Sequence, residues 1–147
     1  MNKTSPIILD ERAPALAAYP HARRAGPWIF VSGISSRRPD NSHAGVHHQA
    51  DGTVVLDIAE QTRAVLDNIG IILEAAGCDL RHVVDLTTFL VNMDDYPGYN
   101  QVYNEYFVQE TGPSRTTVAV HQLPHPHLLI EIKAVAFAPD TEAKGSP

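Results

Sequence analysis

The sequence predicts an α+β fold in which a single sheet is covered on one face by two helices. Three observations carry that prediction. Residues 57–77 repeat apolar side chains at helical spacing. A second helical pattern places tyrosines at 96, 99, 103 and 106, just after a run that is β-branched and apolar on both faces. Apolar segments with strand character flank both patterns, in the order β-β-α-β-α-β-β. So few strands with only two helices are best covered as one sheet with one helical layer.

Ile7 to Leu9 reads as a short edge strand, and Pro14 and Pro20 bracket an irregular segment. WIFVSGIS, Trp28 to Ser35, is a strand by composition. Alternation puts Trp28, Phe30, Ser32 and Ile34 on one face and Ile29, Val31 and Gly33 on the other. Gly33 inside a strand signals a bulge or a close backbone approach. Ser35 to Gln49 is polar and reads as a long loop, and Ala50-Asp51-Gly52 turns the chain into TVVL, so the loop sits in a loose hairpin. In the first helix, Ile58, Thr62, Val65, Leu66, Ile69, Ile72, Leu73 and Ala76 form one stripe. Asp57 and Glu60 have capping-box spacing, and Gly77 can end the helix. His82 to Val91 is a central strand. Asp95 is placed to cap the second helix, Pro97 suits its first turn, and its tyrosine stripe is expected to pack in the core. Gly112-Pro113 is a break, Ser114 to Val120 alternates as a strand, and LLIEIKAVAF is the last strand.

The 147 residues suit one domain, with a core over 6–138 and a frayed tail over 139–147. Hydrophobic content of 44% with 19% charged residues is ordinary for a globular protein. The net charge is −6, and the basic pairs Arg23-Arg24 and Arg37-Arg38 are too short to follow a nucleic-acid backbone, though they suit a small anion. A lone cysteine, Cys78, allows no internal disulfide and fits a reducing compartment. The first fourteen residues hold no long apolar run, and no window reaches the length of a membrane span. A soluble, cytoplasmic protein is expected.

Two sets of residues invite chemistry. His121, His125 and His127 surround two prolines, and His43, His47 and His48 cluster in the long loop. Helical zinc sites place histidines four apart on one face. The first three lie in a turn between strands, where Pro124 and Pro126 fix the backbone with no third ligand nearby, and no carboxylate or cysteine keeps a ligand spacing with the loop histidines, so surface or substrate-lining roles are expected and no metal. The second set is Arg115 and Glu131. Glu131 lies inside an apolar strand, where a carboxylate is either paired or functional. Arg115 shares a face with Thr117 and offers a planar fork for a carboxylate. If their strands form a hairpin, the two cannot sit directly opposite each other. They either form a salt bridge or approach one cleft.

The segments AYPHARRAGPWIFVSG, GPSRTTVAV and LLIEIKAVA, with the helix between them, resemble the Rid (YjgF) family of enamine/imine deaminases over about residues 6–138. The likeness is narrowest to members that act on 2-aminomuconate in bacterial aromatic degradation, through HARRAG, SGISSRRPDN and VAVHQLPHPHLLIEIKAVA. The resemblance implies a chorismate-mutase-like fold, a mixed sheet backed by two helices, assembled as a homotrimer or a hexamer of paired trimers, with clefts between subunits. It implies catalysis by Glu131 and Arg115, with substrate contacts from Arg115, Tyr19, Gly33 and Thr117, no cofactor and no metal. Many relatives carry Gln after the strand-two SG, where this chain has Ile34, and the loop that follows is longer and carries Arg37 and Arg38. Those departures favour a larger carboxylate substrate. Arg37, Arg38, Arg24 and the histidines of LPHPH are the candidates for its distal carboxylate. A general imine-clearing enzyme, a non-catalytic metabolite-binding trimer, a metallohydrolase and a tautomerase are the rival readings. The last requires an N-terminal proline as base, and the first proline here is Pro6.

Overall fold

A computed structural model describes residues 3–139 of the chain. Its elements run β1 (Thr4–Ile7), β2 (Ala22–Ala25), β3 (Trp28–Ile34), β4 (Val46–His48), β5 (Val54–Leu56), α1 (Ile58–Ala75), β6 (Val83–Leu90), α2 (Tyr96–Tyr106), β7 (Ser114–Ala119) and β8 (Ile130–Phe137). Six strands make one mixed sheet in the order β1-β2-β3-β8-β6-β7, and β4-β5 form a separate hairpin. Among the described residues only β6 and β7 run parallel. The two-helix α+β layout matches the expectation, and β1 is the expected edge strand, shifted towards the N-terminus. The frayed tail expected over 139–147 lies, beyond Pro139, outside the described residues.

Both helices lie on one face. Ile29 and Val31 of β3, Leu86 and Leu90 of β6, and Ile130, Ile132, Ala134 and Ala136 of β8 are buried with Val65, Leu66, Ile69, Ile72 and Leu73 of α1. The α1 stripe is therefore the core stripe. The Asp57 carboxylate accepts from Glu60 N at 3.0 Å, capping the first turn. The reciprocal half of the expected box is absent, because the Glu60 carboxylate pairs instead with His47 Nε2 at 2.7 Å. Gly77 adopts φ 85° just past the helix, a left-handed stop that only glycine takes cheaply. Asp95 makes no side-chain cap at α2. Asn92 caps the preceding short turn instead, accepting from Asp94 N at 2.9 Å.

Three further expectations change. The strand β2, ARRA, was not anticipated, since two alanines and two arginines carry no apolar alternation; it forms by backbone pairing to β1 and β3. The long loop contains β4, which pairs with β5 across the 50–52 turn, as the loose hairpin required. The most consequential change is in β3. Val31 pairs with Ala134 but Ile34 with Ile132, a register shift that inserts one extra residue. The bulge expected at Gly33 is present, and it reverses the alternation beyond it. Ile34 thus joins the buried face of Ile132, while Gly33 turns to the face of Glu131, the reverse of strict alternation.

Candidate active site

Arg115 lies on β7, and β7 does not form a hairpin with β8. The strand β6 stands between them, parallel to β7 and antiparallel to β8. Arg115 is paired with Leu86, and Leu86 with Ala134, so its side chain takes the helix-covered face. Glu131 is paired with Phe89, and Phe89 with Val118, so its side chain takes the opposite face. Partners in a register share a face. A salt bridge or a shared cleft between Arg115 and Glu131 of one chain is therefore ruled out.

The guanidinium of Arg115 is enclosed by α2. Its Cζ lies 5.6, 5.0 and 4.6 Å from the ring centres of Tyr96, Tyr99 and Tyr103. One of its nitrogens donates to Tyr96 Oη at 3.0 Å. Each ring face attracts the cation electrostatically. Tyr99 is fully buried, its hydroxyl 2.6 Å from Thr88 Oγ1, and burial pushes its phenol pKa up. Tyr99 thus stays a neutral prop. The tyrosine stripe read as core packing is partly that, and partly a cradle for Arg115. Thr117, two residues on, shares the Arg115 face through its pairing with Thr88.

Glu131 occupies different surroundings. It is half-buried, and among the described residues no donor is hydrogen-bonded to it and no cation pairs with it. Burial alone raises its pKa above the usual carboxylate range. A Cβ built on Gly33 would stand 2.9 Å from Glu131 Oε2, so the bulge and its glycine make room for this carboxyl group. The close approach expected at Gly33 is this contact. Glu131 lines a cavity of about 490 Å³ with Tyr19, Gly33 and Arg37, four of the residues singled out from the sequence. Arg115, Thr117 and Arg38 do not line it.

The cavity also contains residues that the sequence reading did not single out. Arg12 donates to Asn68 Oδ1 at 2.6 Å, and Asn68 Nδ2 donates to the carbonyls of Ser35 and Arg37 at 3.0 and 3.2 Å. Arg37 also reaches the carbonyl of Pro14. His21 accepts from Leu9 N at Nδ1, 3.2 Å away, and its Nε2 lies 3.0 Å from the Ala13 carbonyl, so the N–H sits on Nε2. No local motif links Arg12 to Asn68, 56 positions apart, so only the fold brings them together.

The two histidine groups meet across this rim. The rings of His43 and His125 are 4.3 Å apart, those of His125 and His127 5.1 Å, and those of His48 and His127 5.9 Å. Burial first, then His125 and Arg37, holds the His43 pKa below its usual value. Among the described residues no group of three or more His, Cys, Asp or Glu side chains is arranged to hold a metal.

Fold and site define a class: a small α+β protein that presents a cradled arginine at one sheet edge and a bare, half-buried carboxyl in a cavity on the other face. The comparisons with known proteins go one step further. The model of the family described as Endoribonuclease L-PSP matches residues 10–138. The chain is similar to the 3-aminoacrylate deaminase RutC of Acinetobacter baylyi, 44% identical over 88% of this chain and 95% of that protein. It is similar to the 2-iminobutanoate/2-iminopropanoate deaminase of Bos taurus, 36% identical over 88% of each. It superposes on the YjgF gene product of E. coli with a TM-score of 0.73 at 30% identity, covering 90% of this chain and 98% of that one. The chain belongs to the Rid (YjgF) family, and its fold is the chorismate-mutase-like fold of that family.

Proposed function

We propose that this protein is an enamine/imine deaminase whose preferred substrate is 2-aminomuconate, and that it works as a homotrimer with its active clefts between protomers. The enamine tautomerises to the imine, water adds to the C=N carbon, and the carbinolamine expels ammonia to leave a carbonyl. The products are 4-oxalocrotonate (or its enol 2-hydroxymuconate) and ammonia. Substrate plus water balances product plus ammonia, so no cofactor is called for. Arg115 of one protomer clamps the carboxylate next to the reacting carbon, and Glu131 of its neighbour orients the water and relays the proton. Tyr19 closes the cleft and Thr117 stands beside the clamp.

The observation that carries this reading is Glu131, a carboxyl group with no described partner, its pKa raised by burial, facing a cavity. A proton relay needs a carboxyl whose pKa is displaced towards neutrality. Two arguments favour assembly. Arg115 and Glu131 face opposite ways in one chain, so only neighbouring protomers can join them. The sheet face that carries Glu131 also exposes Trp28, Phe30, Val118 and Phe137, each 39–41% accessible and on the side away from the helices.

Ammonia release from 2-aminomuconate and from a small 2-imino acid, measured side by side, tests the activity. Turnover of the six-carbon diacid alone supports the dedicated enzyme. Comparable turnover of both, or of the small imine only, supports the second reading, a general imine-clearing deaminase. That reading is favoured by the names of the two relatives above, whose substrates are small. Turnover of neither sinks the deaminase proposal. Sedimentation velocity tests the trimer.

A further inference from the structure

We propose that the end of the Glu131 cavity built from Arg12, Arg37, His43 and His125 is a subsite for a second carboxylate of the ligand. The inference rests on the deaminase reading, in which Arg115 holds the first carboxylate, and it assigns the substrate class to a dicarboxylate.

The charge distribution is the starting point. The chain carries a net charge of −6, yet the cavity that Glu131 lines holds two arginines against that one acid. The ion pairs among the described residues are His47–Glu60, Arg63–Glu105, Arg81–Asp79 and His82–Asp79. Arg12 and Arg37 are in none of them. Their side chains are held by neutral acceptors, Asn68 Oδ1 and the Pro14 carbonyl. A neutral acceptor orients a guanidinium without cancelling its charge. Each guanidinium has five N–H donors, so most of them are left for a ligand. Two uncompensated cations in one cavity of an acidic protein match an anion.

The subsite is built, not merely crowded. Asn68 on α1 ties the Arg12 side chain to the Ser35 and Arg37 carbonyls through three hydrogen bonds of 2.6, 3.0 and 3.2 Å. The His43 backbone bridges to Arg37. His43 and His125, rings 4.3 Å apart, line the same cavity. His127 N donates to His125 Nδ1 at 3.1 Å, which leaves Nε2–H as the donor of a neutral His125. The other cations considered for a distal carboxylate do not belong to this cavity. Arg38 donates to Ser42 Oγ at 3.2 Å, and Arg24 reaches the Ala76 carbonyl past the end of α1.

The test uses two six-carbon dienes without nitrogen, so that turnover plays no part. Muconate has carboxylates at both ends and sorbate at one. Calorimetric titration of the full-length protein is expected to show muconate binding about tenfold or more tighter than sorbate. Arg37→Gln and Arg12→Gln are each expected to remove most of that preference, with melting temperatures near that of the wild type. If Arg12→Gln unfolds through loss of its bond to Asn68, Arg37→Gln carries the test, since its side chain is bonded only to a loop carbonyl. Equal affinities in the wild type, no measurable binding of muconate, or a preference that survives Arg37→Gln overturns the subsite. Ammonia release by the wild type is scored separately. An enzyme that deaminates imines but does not prefer muconate refutes the subsite and leaves the deaminase reading standing.

Discussion

The guanidinium of Arg115 and the carboxyl of Glu131 sit on opposite faces of one sheet, and their surroundings differ as much as their charges. Arg115 is held by three aromatic rings and a phenol hydroxyl. Glu131 is held by nothing described, beyond the space that Gly33 leaves beside it. The contrast separates two tasks. A group that recognises a fixed charge gains from being immobilised in advance, because less freedom is lost when the ligand arrives. A group that moves protons gains from a raised pKa, and a permanent ion-pair partner would lower it again.

The largest expected effect is on the unpartnered side. Glu131→Gln keeps the shape and removes the titrating oxygen, and should lower kcat for ammonia release by about 10²–10⁴-fold. On the cradled side, Arg115→Lys keeps the charge but loses the fork, and kcat/KM should fall about ten- to a hundredfold. Gly33→Ala probes the space instead of the charge. The new Cβ would displace the end of the Glu131 side chain, and kcat should fall about tenfold with KM little changed, since misplacing a reacting group costs rate. A change in KM alone would show that Gly33 serves binding.

Two smaller effects sharpen the comparison. Tyr96→Phe removes the hydroxyl that accepts from Arg115 and leaves the ring, so KM should rise about three- to tenfold while kcat holds. A matching fall in kcat would mean that the clamp acts in the transition state too. The smallest effect concerns stability. The folded-state pKa of Glu131 lies above its unfolded value, so the fold favours the protonated form. Its contribution to stability is fully present below the ordinary carboxylate range and is lost as pH rises through the raised folded value. Melting temperatures of wild type and Glu131→Gln should therefore agree in acid and diverge above it, with the variant the more stable. A variant less stable at pH 8 would reveal a stabilising partner for the carboxylate.

Much of the fold was legible. The α1 stripe, the Gly77 stop, the β6 and β8 runs and the bulge at Gly33 all follow from local pattern and residue chemistry. β2 was not legible, because Ala22–Ala25 has no periodicity of its own and owes its conformation to neighbours on both sides. The face of Ile34 was misread because a one-residue bulge inverts every alternation downstream. At the site, Arg115, Glu131, Gly33 and Tyr19 stood out as residue types in a specific motif, whereas Arg12 and Asn68 carry no local signal. The tyrosines were visible as a stripe, but the spacing that packs a core also lines a cradle.

By itself the sequence determined both helices and the apolar strands, the helix-facing stripe, the family and the identity of the charged residues, since each depends on neighbours along the chain. Only the tertiary structure decided that β6 lies between β7 and β8, and hence that Arg115 and Glu131 face opposite ways. It alone gathered Arg12, Arg37, His43 and His125 into one cavity with Glu131. The physical reason is that strand order and the closure of long loops are set by burial of the whole apolar face at once. No local window contains that free energy.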